Sequence, residues 1–393
     1  MRTTLRLSTN RQRGSLPYAI VVASATLLAV QSLAGNLTVV GNLTVSTNLT
    51  AQSVTLGGVT QTGWPGLPLQ GSKYVVAAEG TNDIHRGNNL LAAYATATTL
   101  GPSSSNRVTV IVPPGAYNLG TTSLVMNTSY VDLVGLVPAQ MTTKQVFTNS
   151  VGSRYTKTVA NIQCPVRIYS GNSTGTIVQN IDNVRIESVS LSNTSGLAYY
   201  PSVNGSNTIL RHVSMSSMPG GEYAGQYVDC VGGGGSFGTG SGIASGTFID
   251  CVGGDDSFAS ADDSQASGTF IDCAGGDQCF GFFGNASGVF VRCVGGDYSF
   301  GGWEGRSSGS FIDCVGGDYS FSGWVGTLDA AAKLQHCKAG ANSFGSFQMA
   351  SDDFNYNVGG TNTFLMLPRL PTSAGGLPSG SVWSSNGVLR VSP

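Results

Sequence analysis

The chain has 393 residues, of which 56 are Gly and only 10% are charged, with a net charge of −2. An average globular chain is about one quarter charged, so this profile suits short strands joined by tight turns. The −2 becomes −6 once Arg2, Arg6, Arg11 and Arg13 are set apart, and a mildly acidic body without a basic cluster speaks against nucleic acid as a partner.

Those four arginines precede an apolar run, YAIVVASATLLAVQSLA, from Tyr18 to Ala34. Residues 1–34 read as an export signal, with Ser32 and Ala34 at the small −3 and −1 positions and cleavage expected before Gly35. If uncleaved, the 17-residue run lies at the lower limit of a membrane span and would serve as an N-terminal anchor, the one case in which membrane attachment is expected. A pilin-like leader cut after Gly14 is a third reading, but it lacks the Glu expected five residues on.

Residues 35–66 follow as a short β-rich stalk. NLTVVG, NLTVST, NLTAQS and VTLGGV repeat every six residues from Asn36 to Val59. Four such hexads bury too little apolar surface alone, so homo-oligomerisation through this stalk is expected.

Residues 74–225 change pattern. VVAAEGTND leads into an amphipathic helix expected over about Asn88 to Leu100, then NRVTVIVPPGAYNLGTTSLVM and YVDLVGL. A helix, a strand, PPG and an aromatic in this order resemble the N-terminal cap and first rungs of the pectate-lyase-like and phage-tailspike superfamily. That resemblance implies a right-handed parallel β-helix whose open end is plugged by the helix.

The segment 226–349 is the most regular. The unit FIDCVGGDxSF recurs with Cys230, Cys251, Cys273, Cys293, Cys314 and Cys337, at spacings of 21, 22, 20, 21 and 23. Seven residues after each stands Phe237, Phe258, Phe280, Phe300, Phe321 or Phe344. A leucine-rich repeat of similar length would need a Leu-x-x-Leu-x-Leu frame that is missing here, which leaves a β-helix rung. Strand alternation predicts Cys on the inward face with Val228, Ile249, Ile271, Val291 and Ile312 beside it, stacked at about 4.8 Å per rung. Residues 350–393 depart from the repeat and are expected to form a small C-terminal β cap; PTSAGGLPSGSVWSSNGVLRV resembles terminal modules of phage tail fibres.

Eight cysteines in an exported chain ordinarily suggest disulfides, but a single ladder position suits mostly free, buried thiols. Cys279 stands where other rungs carry Ser, and Cys164 lies outside the array.

Three sets of side chains could carry chemistry. The residues preceding the cysteines, Asp229, Asp250, Asp272, Arg292, Asp313 and His336, form an expected outward column. The superfamily resemblance implies acids with an Arg or Lys base on one sheet face, so Asp250, Asp272, Arg292 and Asp313 are candidate catalytic residues; alternatively, the Arg relieves repulsion among stacked acids. A second acid column, Asp255, Asp277, Asp297 and Asp318, with Asp256, Asp262 and Asp263 nearby, offers oxygen ligands for Ca²⁺ or merely completes Gly-Gly-Asp turns. No other cofactor is expected. Tyr298, Trp303, Tyr319 and Trp324 recur in register and could form a platform for sugar rings or cover a loop.

The expected function is that of a secreted, cell-surface or virion-associated structural or adhesive protein that presents a repetitive face to carbohydrate or to other copies of itself. Regularity favours this, because catalytic sites usually break a repeat with a long loop. A polysaccharide lyase or glycoside hydrolase is the alternative.

Overall fold

The computed structural model describes residues 73–148, 156–216, 221–238, 242–260, 263–322, 326–329 and 332–344. It also places the strands Tyr18–Val21, Leu37–Val40, Ser53–Leu56, Val59–Thr62, Phe354–Asn355, Val382–Ser385 and Val388–Val391. The chain divides into two units, Met1–Gln70 and Gly71–Pro393. In the first, Tyr18–Val21 pairs in parallel with Leu37–Val40, and Ser53–Leu56 pairs antiparallel with Val59–Thr62. The rest of the expected signal and stalk, and most of the expected C-terminal cap, lie outside the described residues.

The second unit is a right-handed parallel β-helix, the hand taken by crossovers between parallel strands of one sheet. Its spine is a twelve-stranded sheet running from Lys73–Val76 through Val108–Val112, Val131–Gly135 and nine further strands to Phe354–Asn355, every neighbour parallel. In the repeats the register is one rung per unit: Phe248 pairs with Phe270, Phe270 with Phe290 and Phe290 with Phe311. A second wall begins with Gly115–Asn118 and Val166–Ser170 and continues through the bridges Val231↔Val252↔Ala274↔Val294↔Val315↔Lys338. A third, in the repeats, consists of two-residue strands from Ile243–Ala244 to Thr327–Leu328. One antiparallel excursion, Gln140–Thr148 with Thr156–Gln163, interrupts the solenoid.

The helix α1, Asp83–Thr98, begins earlier than the apolar pattern predicts. Asn82 caps it, its side chain accepting the His85 N–H at 2.9 Å, and Asp83 favours the positive end of the helix dipole. The capping residues sit in a polar stretch that carries no apolar period, which is why the expected start at Asn88 is late. Leu90, Ala93, Tyr94 and Ala97 are buried in the same core as the first rungs. Gly87 permits this approach, because a Cβ there would lie 1.9 Å from the Asn118 carbonyl oxygen. Among the described residues no helix is long and apolar enough to cross a membrane.

The interior of each repeat differs from the expected one in a specific way. The inward residues are Phe and Cys, as in Phe248 and Cys251, both fully buried; Val228, Ile249, Ile271, Val291 and Ile312 are only half-buried and turn outward. Alternation fails because the residue between the hydrophobe and Cys has left-handed backbone: φ is 52° at Asp250, 55° at Asp272, 53° at Arg292 and 55° at Asp313. That bend rotates the chain so that Cys points inward three residues after Phe. Asp and His tolerate this region better than most side chains, which accounts for Asp229, His336 and the earlier His212 in the column.

A second left-handed position holds the aromatic seven residues after each Cys, with φ of 55° at Phe258 and Phe280. A bulky residue there persists only because packing over-determines it. Two ring ladders result. Within them, Phe248 and Phe270 stack at 4.9 Å and 4°, and Phe258 and Phe280 at 4.7 Å and 7°. Between them, Phe258 meets Phe270 edge-on at 5.8 Å and 89°. Each buried ring contributes about 1.5–3 kcal/mol from removal of apolar surface, with edge-to-face contact added.

None of the eight cysteines is joined in a disulfide, and seven are buried. The ladder thiols donate to carbonyl oxygens one rung back: Cys251 to Tyr227 at 3.3 Å, Cys273 to Phe248 and Cys293 to Phe270, both at 3.4 Å. Burial pushes the thiols of Cys251, Cys273 and Cys314 well up from the ordinary range.

Candidate functional site

Two acidic columns emerge from each rung at different corners, separated by the Cys-Val-Gly-Gly segment, so the candidates do not form a single site.

At the first bend, charged neighbours engage one another along the axis. Arg292 donates from Nε to Oδ1 of Asp272 at 2.9 Å and from NH2 to Oδ2 at 2.6 Å. His336 Nδ1 lies 3.2 Å from Asp313 Oδ1, and His212 Nε2 lies 3.3 Å from Asp229 Oδ2. Hydrogen bonding to Asp272 holds the Arg292 guanidinium above its already high ordinary value, which favours its charged form. The candidate catalytic residues Asp250, Asp272, Arg292 and Asp313 thus form a ladder of bend residues, with ion pairs between Arg292 and Asp272 and between His336 and Asp313.

The expected calcium ligands are likewise arranged in line. Asp255 Oδ1 accepts the Asp277 N–H at 3.0 Å, Asp277 Oδ1 the Asp297 N–H at 2.8 Å and Asp297 Oδ1 the Asp318 N–H at 2.8 Å; Asp318 Oδ1 accepts from Ala341 at 2.7 Å. Each carboxylate thereby satisfies a turn amide of the next rung. Metal ligands must surround an ion, whereas these point along a line. Among the described residues no group of three His, Cys, Asp or Glu side chains converges as metal ligands would.

The residue after each of these acids is again left-handed, as at Asp256, Gln278, Tyr298 and Tyr319, and its side chain projects from the surface. Tyr298 and Tyr319 stack at 4.8 Å and 4°. Tyr298 lies 5.5 Å from Trp303 and 5.8 Å from Phe282, and Phe282 lies 4.3 Å from Phe283. Phe283 is 38% exposed, whereas the Phe rings of the repeat ladders are fully buried. Trp324 lies outside the described residues, as does Asp262.

Beside this aromatic cluster is an open groove of about 350 Å³ lined by Gly234, Gly235, Asp255, Asp256, Ser260, Gln278, Phe282 and Phe283. Burial raises the Asp256 carboxyl above the usual carboxylate range, and the neighbouring Asp255 charge adds to this. Asp277, one rung on, is raised by burial first and by Asp297, Asp255 and Asp256 next. Two acids, one amide and two aromatic rings thus meet in one concavity. Asp255, Tyr298, Trp303 and Tyr319 were identifiable from the repeat, whereas Gln278, Phe282 and Phe283 were not singled out. Phe283 nevertheless follows Phe280 by three residues, as Trp303 follows Phe300 and Trp324 follows Phe321, so the register carried the signal.

No protein-family model matches the chain, and no curated protein matches it. Among solved structures, it is similar to a pectin methylesterase from Aspergillus niger, 13% identical over 75% of this chain and 85% of that one, with a TM-score of 0.35. It is also similar to pectin methylesterase PemA from Erwinia chrysanthemi, 11% identical over 75% and 90%, with a TM-score of 0.31. The tailspike gp49 of Acinetobacter baumannii bacteriophage Fri1, a capsular polysaccharide depolymerase, is 10% identical over 76% of this chain and 64% of that one, with a TM-score of 0.32.

Proposed function

We propose that this chain is a structural or adhesive surface β-helix that binds carbohydrate in the groove between Gly234 and Phe283 without cleaving it. The observation that carries the proposal is the meeting of Phe282 and the exposed Phe283 with Asp255, Asp256 and Gln278. The C–H faces of sugar rings pack on aromatic rings, and their hydroxyls need the acceptors and the amide that line this groove. The adjoining Tyr298, Trp303 and Tyr319 extend the platform along the axis. The leader-like segment 1–34 supports export to a secreted, cell-surface or virion location, and the hexads from Asn36 support association between copies.

A polysaccharide lyase or glycoside hydrolase is the second reading. It is favoured by Asp256 and Asp255 standing side by side with the Asp256 carboxyl raised, since glycoside cleavage employs paired carboxyl groups whose acidities are set apart by their surroundings. One experiment separates the two: retention of neutral and acidic polysaccharides by the purified protein, with and without Ca²⁺, together with release of reducing ends or unsaturated products. Retention without product release, lost in Phe283→Ala, supports the binding protein. Product release lost in Asp256→Asn would make it an enzyme.

A further inference from the structure

Building on the carbohydrate reading of the groove, we propose that its ligand is a glycan bearing protonated amino groups, laid along the helix axis. The groove has carboxylates at Asp255 and Asp256 and no Lys or Arg among its lining residues. The acid column continues past it at one carboxylate per rung through Asp277, Asp297 and Asp318. None of Asp255, Asp256 and Asp277 forms an ion pair with a described residue. The cations of neighbouring rungs are already engaged, Arg292 by Asp272 and Arg306 by Asp329.

The geometry leaves these acids available to a ligand. Asp255 and Asp277 each use one oxygen on a backbone N–H of the next rung, which fixes the carboxylate while its second oxygen remains for an incoming donor. Burial and mutual repulsion raise the carboxyl groups of Asp256 and Asp277, and an ammonium group would relieve that repulsion where a uronic acid or sulfate would worsen it. Phe283 lines the same groove as Asp255 and Asp256, and Tyr298, which follows Asp297 in the chain, lies 5.5 Å from Trp303; aromatic faces attract cations as well as sugar C–H groups. A ladder on four successive rungs suits a polymer and not a single sugar, because Asp255, Asp277, Asp297 and Asp318 present the same acid at the same position around the axis, each one rung further along it.

The test uses the full-length protein and four probes at a pH where amines are protonated: chitosan oligosaccharide, fully N-acetylated chitin oligosaccharide, polygalacturonate and polylysine. We expect chitosan to bind about tenfold or more tighter than the N-acetylated oligomer, and polygalacturonate to bind weakest. Asp255→Asn with Asp256→Asn should erase the chitosan preference but keep binding of the N-acetylated oligomer, since Asn at 255 still accepts the Asp277 N–H. Phe283→Ala should weaken both sugars. Equal or tighter binding of the N-acetylated oligomer or of polygalacturonate would overturn the amino-glycan assignment while leaving carbohydrate binding intact. Polylysine bound as tightly as chitosan would reduce the site to bare charge and overturn it too. Retention of no glycan at all would refute both the assignment and the carbohydrate reading beneath it.

Discussion

Oδ1 of Asp277 accepts the backbone N–H of Asp297 at 2.8 Å, one rung along the axis, while Asp277's own N–H goes to Oδ1 of Asp255 at 3.0 Å. Each acid is therefore at once an acceptor for the next turn and a donor to the previous one, so side chain and backbone are coupled along the solenoid. Asp277→Ala should cost about 1–3 kcal/mol by leaving the Asp297 amide without its acceptor, and Asp277→Asn should recover most of that. Equilibrium denaturation of the three proteins decides it; an alanine variant as stable as wild type would show that water replaces the carboxylate at no cost.

The same residue fixes the sign of a pH effect. Burial and neighbouring carboxylates raise Asp277 in the folded state above its ordinary 3.8, so across the window between the two values the folded protein binds more protons than the unfolded chain. Stability from this group is present at low pH and is lost as pH rises through the folded value. Asp256 contributes with the same sign, whereas Asp182, whose carboxyl is lowered by hydrogen bonds from Asn207 and Asn183, contributes with the opposite one. Relative to Asp277→Asn, wild type should gain stability on titration from about pH 7 down to about pH 4. A difference that stays constant with pH would remove the basis for this claim.

The core makes a prediction about thiol chemistry. The ladder cysteines and Cys279 are buried, and Cys164, half-exposed, has its thiol pushed up to about 12 by burial. Since thiolate is the reactive species, native protein should label slowly with a thiol reagent at neutral pH, with Cys164 first, and all eight cysteines should label after denaturation. Prompt labelling of any ladder cysteine in the native state, located by mass spectrometry, would contradict the packing described.

The repeat, the cysteine column and the parallel β-helix were legible because stacking copies one residue type to the same position on every rung. The identity of the second inward residue was not. Reading Phe-Ile-Asp-Cys as continuous alternation places Ile249 and Ile271 inside, whereas the left-handed bend at Asp250 and Asp272 gives that place to Phe248 and Phe270. Nothing in strand periodicity reveals a bend, although a column of Asp and His residues is the composition a left-handed position selects. The groove was harder to see, because it joins residues from three successive rungs, Gly235, Asp256 and Gln278, whose side chains differ at one structural position.

That bend supplies the last prediction. Asp313 has φ of 55°, and a β-branched residue there meets the full steric penalty of the left-handed region, about 1–2 kcal/mol, with loss of the His336 contact added. Asp313→Asn keeps a side chain suited to the bend and gives up only an exposed ion pair, so it should stay within about 1 kcal/mol of wild type. Asp313→Val should be clearly less stable than Asp313→Asn when both are compared by urea denaturation. The same pair at Asp250 should give the same order, since its φ is 52°. Equal stabilities of the Val and Asn variants at both positions would mean that the corner relaxes out of the left-handed region, and the phase of Phe and Cys that depends on it would have to be redrawn.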